Sequence, residues 1–250
     1  FGNPTIGFYP EFADPEHPSS ELCAVADMVA IALKLSRAGF ADYWDDADRW
    51  IRNQLFEAQL DRIDWIYKNI RHKKGEPLDK RRVEENGVVK PVPAGTLTDY
   101  LVPERNLGAF SGFATPNDWA GNGYIMPCCT GNGARTIYYV WEHLLDCENG
   151  NLRVNLLLNR ASRWADVYSW IPYEGKVMLK VKEPLSRVMV RIPEWIPQNC
   201  PDVECVLNGE PSKIRWSGRY LDLGSAKTGD RVEVKFPIRE REVRETIVGK

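Results

Sequence analysis

The stretch that decides the fold is Thr130–Cys147 (TGNGARTIYYVWEHLLDC), Glu148-Asn149-Gly150, then Asn151–Leu156 (NLRVNL). Before Gly150 the apolar residues Ala134, Ile137, Tyr138, Trp141, Leu144 and Leu145 recur at helical spacing and form one stripe. After it, side chains alternate. The alternation returns in Lys176–Val181, Arg187–Ile192, Val203–Leu207 and Arg231–Phe236, and Asn208-Gly209 marks a tight hairpin turn. A change of period from 3.6 to 2 predicts helices up to residue 149 and antiparallel strands over 150–250. Runs of one type followed by runs of the other predict two domains, 1–149 and 150–250.

Working back from this junction, Ser19 and Ser20 precede Glu21, and Leu22, Val25, Met28, Val29, Ala32 and Leu33 give a helical stripe that Gly39 ends. A second helix is expected over about 41–60, with Trp44, Ala47, Ile51, Leu55 and Ala58 inward. Asp64–Ile70 extends the pattern. Residues 71–127 read as a long loop rich in Pro, Gly and basic side chains, a length that is commonly functional in a compact domain. A solvated insertion is the plainer reading of its basic run.

The chain has 250 residues, 43% apolar and 27% charged, which is ordinary globular composition. Lys and Arg number 33 against 35 Asp and Glu, a formal charge of −2, so bulk charge points to neither nucleic acid nor an anionic membrane. No apolar run is long enough to span a bilayer. The chain starts at Phe1 without a leader and stops after a strand-like stretch, so both ends read as cuts through a longer protein. Of the cysteines Cys23, Cys128, Cys129, Cys147, Cys200 and Cys205, two are adjacent, which argues against a disulfide framework. Free thiols favour a soluble, cytoplasmic setting.

Two clusters carry chemistry. Glu21-Leu22-Cys23 and Pro127-Cys128-Cys129-Thr130-Gly131-Asn132 each open a helix. Together they offer three thiols and one carboxylate, the number a tetrahedral zinc site requires. Within a helix, residues two apart point about 200° from each other, but at a helix entry they can converge. Helix N-termini also favour thiolate. Taken alone, Cys128 and Cys129 read first as two small buried hydrophobes. Tyr100, Trp119 and Tyr124 in the loop before Cys128 suit stacking on a sugar ring or packing in a core. His17 lies near the first cluster, within reach of substrate or of the metal's surroundings. His143 reads as a packed helix residue.

These motifs, with Met126–Asn132, Leu152–Leu156, Arg191–Trp195 and Val206–Glu210, resemble glycoside hydrolase family 127, the β-L-arabinofuranosidase family. The resemblance covers nearly all of this chain and the later part of the family's length. It implies a partial (α/α)6 barrel followed by an antiparallel β-sandwich. It implies zinc bound by Glu21, Cys23, Cys128 and Cys129, with Cys128 as nucleophile and an upstream Glu as acid/base. No Glu stands at the family's usual offset, about sixteen residues before Glu21. Glu11, between Tyr9, Pro10 and Phe12, is the choice, with Asp14 and Glu16 as alternatives; an apolar setting raises a carboxyl's pKa. The expected partner is a glycan ending in L-arabinofuranose or a related sugar, with room for a homo-oligomer. Two other functions stay open: a zinc-stabilised carbohydrate-binding or structural protein without catalysis, and a metallohydrolase with zinc-activated water. Three geometric expectations follow. The three sulfurs should lie within roughly 4 Å of one another. No long helix should occur between 176 and 240. Truncated barrel helices should expose Val25, Met28, Trp44, Ile51, Ile137 and Trp141.

Overall fold

The structure is a computed structural model that describes residues 5–10, 20–64, 83–85, 88–90, 102–114, 125–240, 242 and 244. A short strand β1 (Ser20–Glu21) leads directly into α1 (Leu22–Arg37). Its stripe of Leu22, Val25, Val29, Ala32 and Leu33 is buried, as the spacing requires. The next helix, α2 (Trp44–Trp50), passes into one wide π-turn over Ile51–Leu55 and ends near Leu55, short of the expected 60. Between it and the Cys pair come β2 (Val83–Glu85), β3 (Val88–Lys90), a single helical turn α3 (Val102–Arg105) and β4 (Phe113–Ala114). The loop over 71–127 therefore contains short elements, and β4 pairs with β1 across the start of α1.

The long helix α4 spans Pro127–Leu144 and turns without a linker into β5 (Leu145–Glu148). It stops three residues before the expected Cys147, because Leu145 is fully extended (φ −143°, ψ 151°) and enters the sheet. The strands that follow are β6 (Asn151–Val154), β7 (Ala165–Ser169), β8 (Lys176–Val181), β9 (Arg187–Arg191), β10 (Glu204–Leu207), β11 (Glu210–Pro211), β12 (Arg215–Ser217), β13 (Tyr220–Asp222) and β14 (Arg231–Lys235). No helix interrupts the described residues between 176 and 240.

Two five-stranded sheets form, in the orders β12-β13-β9-β6-β5 and β11-β10-β14-β8-β7. Leu152, Val154, Val188, Val190 and Leu221 from one sheet and Val167, Val177, Leu179, Val232 and Val234 from the other share a single apolar core. The sheets are antiparallel with one exception: β6 runs parallel to β9. The wholly antiparallel expectation is corrected there. Between these strands the chain crosses to the other sheet to make β7 and β8, and a pair joined by such a crossover can run parallel. Asn208 and Gly209 adopt φ of 53° and 93°, the left-handed pair of a two-residue hairpin, and they join β10 to β11.

The helices dock on the outer side of β9. Arg191, at its end and 4% exposed, pairs with Asp45 and, at 2.8 Å, with Asp42 at the start of α2. Arg49 pairs with Glu194, and Arg52 donates to the Leu157 and Ile171 carbonyls. Three of the apolar residues expected to be exposed are in fact buried here: Val25, Trp44 and Ile51 are each under 7% exposed. Met28 and Ile137 are half-buried, and Trp141 is exposed beside Tyr138. Val25, Trp44 and Ile51 pack against neighbouring helices and the sheets, so the described fold covers these stripes itself. No helix among the described residues is long and apolar enough to cross a membrane.

Candidate metal and catalytic centre

The centre forms where α1 and α4 begin. Glu21 is the residue before α1, with extended backbone (φ −86°, ψ 123°). Its Oε2 accepts the Ala24 N–H at 2.6 Å, which caps the helix. Its backbone N–H donates to the Tyr9 carbonyl, and the next residue, Leu22, donates to Gly112. Oε1 of the same carboxylate lies 3.3 Å from the Cys129 Sγ, which donates to it. Glu21 sits outside the helix and Cys23 sits in its first turn, so the two side chains reach the same point despite their i, i+2 spacing.

α4 starts after extended Met126 (φ −102°, ψ 135°), with Pro127 in its first turn, where a missing N–H costs nothing. Thr130 Oγ1 donates to the Phe110 carbonyl at 3.0 Å. A Cβ at Gly133 would fall 2.5 Å from the Phe110 ring, so glycine permits that close approach. These contacts fix the helix entry and with it the Cys pair. Cys23 and Cys129 sulfurs are 3.4 Å apart and those of Cys128 and Cys129 3.6 Å. All three lie within 4.8 Å of one another. Cys129 is buried, Cys23 half-buried and Cys128 exposed.

α1 and α4 run side by side in the same direction. Cys23 meets Cys129, Asp27 meets Arg135 at 3.0 Å, and Lys34 lies over the Tyr139 ring in ascending order. Both positive helix ends therefore converge on the thiols. Burial is nonetheless the dominant influence on two of them. It pushes Cys129 far above an ordinary thiol, reinforced by hydrogen bonds with Cys23, Glu21 and Cys128. It also raises Cys23, partly offset by hydrogen bonding with Asn132 and Cys129. Protons on these crowded sulfurs are held in the absence of a cation; a bound metal reverses that preference. The three cysteines form a group that could hold a metal ion; Glu21 touches one of them, Cys129, but is not itself in that group.

Glu11, His17, Tyr100 and Tyr124 lie outside the described residues, as do Asp14, Glu16 and Trp119. His143 is buried, with Nδ1 on the Tyr139 carbonyl at 2.9 Å, a packed helix residue away from the thiols. The sequence reading missed Tyr9, Phe110 and Gly112, which fix the two helix entries. The one available signal was Gly133 inside an apolar helix, where glycine marks a close approach.

Residues 156–238 match the family model described as the β-L-arabinofuranosidase, GH127 middle domain. Over these residues the chain is similar to the GH127 middle domain. No curated protein matches the sequence. Among solved structures, a GH127 β-arabinofuranosidase aligns over 88% of this chain and 32% of its own, at 19% identity and a TM-score of 0.54. A glycoside hydrolase aligns over 87% and 33%, at 16% identity and 0.50. A GH127 β-L-arabinofuranosidase from Geobacillus stearothermophilus T6 aligns over 92% and 33%, at 18% identity and 0.48. The first two show a shared fold. The chain spans about a third of the length of these proteins. The GH127 match covers β7 to β14 and none of the four residues at the helix entries.

Proposed function

We propose that the chain is part of a retaining glycoside hydrolase acting on β-L-arabinofuranosides, with Cys128 as nucleophile. The observation that carries this reading is the meeting of Cys23, Cys128 and Cys129 at two parallel helix entries, beside Glu21. Four ligands around zinc, with Zn–S near 2.3 Å, set sulfurs about 3.8 Å apart. Two of the three sulfur separations, 3.4 and 3.6 Å, support that geometry, and the third lies within 4.8 Å. In this reading Glu21, Cys23, Cys128 and Cys129 hold zinc, which supplies deprotonated sulfur at neutral pH. Glu21 has one oxygen committed to the helix cap and offers the other.

The exposure gradient supports this division of roles. Cys129 is buried and bonded on several sides, which suits a fixed ligand. Cys128 is exposed at the helix entry, where an anomeric carbon can approach it. Its sulfur attacks that carbon while the glycosidic C–O bond breaks and the leaving oxygen takes a proton from a carboxylic acid. Water then attacks the same carbon, gives its proton to the resulting carboxylate, and the C–S bond breaks. Two displacements retain configuration. Glu11 is assigned the acid/base role. His17, Tyr100 and Tyr124 are assigned to the sugar. The parallel pair α1 and α4 belongs to a partial (α/α)6 barrel over 1–149, and 150–250 is a β-sandwich domain. The substrate is a glycan with terminal L-arabinofuranose.

A second reading keeps the zinc and drops the catalysis: a metal-stabilised carbohydrate-binding or structural protein. Thr5, in place of a Glu sixteen residues before Glu21, favours it. A zinc-activated water is disfavoured, because four protein ligands leave it no coordination position. An aryl β-L-arabinofuranoside separates the readings. Hydrolysis that Cys128→Ser lowers by about a thousandfold or more supports the nucleophile. Zinc binding with no hydrolysis by the unmodified chain supports the second reading.

A further inference from the structure

A cavity of about 220 Å³ lies where α2 and its π-turn meet the loops after β6, β7 and β9. Trp44, Leu157, Pro172 and Trp195 supply apolar wall, and Asn53 and Asp48 polar wall. Arg52, Leu157 and Ile171 line it and also the adjoining groove beside Val140 and Leu144. It therefore lies toward the far end of α4 from Cys128, on the order of 20 Å away at 1.5 Å per helical residue.

The charges in its walls are spent on one another. Arg49 is held by Asp46 and Glu194, Arg52 by Asp48, and Arg191 by Asp42 and Asp45. An anion would have to displace a carboxylate, and a cation would face three guanidinium groups. The balance selects a neutral occupant. Polar capacity remains nonetheless. The Asn53 side chain hydrogen-bonds to no described residue. Asp48 Oδ1, Arg49 Nε and Arg191 Nε belong to lining residues and have no described partner, but they are closed off from the cavity, so Asn53 is the polar group an occupant meets. At about 30 Å³ per water, the volume equals roughly seven waters, or one ring of about ten heavy atoms. A neutral molecule of that size with an apolar face and several hydroxyls is a single sugar residue. Apolar walls with a few placed polar groups are the ordinary make-up of such a site.

We propose that this cavity binds one neutral sugar residue of the glycan, at a site separate from the thiols. The proposal rests on the carbohydrate-active reading above. It holds glycan and takes no part in bond cleavage.

The test is titration of the chain with L-arabinose and, separately, with galacturonate, followed by tryptophan fluorescence and calorimetry. Unmodified protein, Asn53→Ala, Trp195→Phe and Cys128→Ser are compared, each checked for an unchanged melting profile. Saturable arabinose binding that weakens at least fivefold in Asn53→Ala and holds in Cys128→Ser is the expected result. Trp195→Phe, which preserves packing but narrows the aromatic wall, should weaken binding too if Asn53→Ala fails to fold. Absence of saturable binding, binding insensitive to both wall variants, or tighter binding of galacturonate overturns the proposal. Hydrolysis of an aryl arabinofuranoside is scored alongside. Wall-sensitive binding without hydrolysis keeps the cavity and removes the glycosidase reading; hydrolysis without wall-sensitive binding does the reverse.

Discussion

Cys129 and Cys205 are both buried thiols, and burial raises both above an ordinary cysteine. Cys205 sits on β10 in the sheet core, rises to about 11, and owes that to burial alone. Cys129 sits at a helix entry and is in contact with Glu21, Cys23 and Cys128, whose hydrogen bonds add to the effect of burial. The first behaves as a small hydrophobe. The second belongs to a set of polar atoms crowded together inside the protein, an arrangement that costs free energy unless something binds them. The same contrast runs through the two halves of the chain. The sheets bury aliphatic side chains from two faces, whereas the helix entries bring together groups that packing alone does not require.

Metal removal should open the widest gap between these regions. With zinc at a thousand times its Kd, chelation lowers stability by about 4 kcal/mol, followed as a fall in melting temperature. After chelation Cys23, Cys128 and Cys129 should become available to a thiol reagent, while Cys205 stays protected. Because the ligands bind protons in competition with metal, and burial raises Cys23 and Cys129, zinc affinity should weaken as pH falls. A pH-independent affinity would erase the distinction.

Replacing Arg191 probes the seam between the regions. It is buried against Asp42 and Asp45, so Arg191→Ala leaves carboxylates uncompensated and should cost about 3–5 kcal/mol by urea denaturation. Loss under about 1 kcal/mol would show the helices are not fastened there. Gly133→Ala forces a Cβ against Phe110 and should cost about 1–3 kcal/mol while also loosening zinc, since that contact fixes the Cys pair. The smallest effect separates the two tasks of Glu21. Glu21→Gln keeps an acceptor for the Ala24 N–H, so metal-free stability should hold while zinc affinity falls. Glu21→Ala loses the cap as well, at about 1 kcal/mol. Equal metal-free stability of the two variants would remove the capping role.

Much of this arrangement is legible in the sequence. The buried stripe of α1, the strands β6, β8, β9, β10 and β14 and the Asn208-Gly209 turn all announce themselves by period or turn chemistry. β12 and β13 do not, because three residues are too few to display an alternation. β5 was hidden for another reason: Leu144 and Leu145 continue the α4 stripe, and only pairing with β6 turns Leu145 into a strand. The parallel pairing of β6 with β9 is set by a crossover that no local pattern records. At the centre, Glu21, Cys23, Cys128 and Cys129 stand out as residue types at helix entries. What brings them together, α1 lying parallel to α4 with Phe110 beneath Gly133, is tertiary and leaves only a glycine as its trace.

The central claim is that the two helix entries make one metal site, and metal content tests it most directly. Protein loaded with zinc and dialysed should retain one zinc per chain by elemental analysis and native mass spectrometry. Cys129→Ser should lose that zinc, and Cys205→Ser should keep it. Unmodified protein that retains no stoichiometric zinc while staying folded, or Cys129→Ser that retains it fully, would contradict the account.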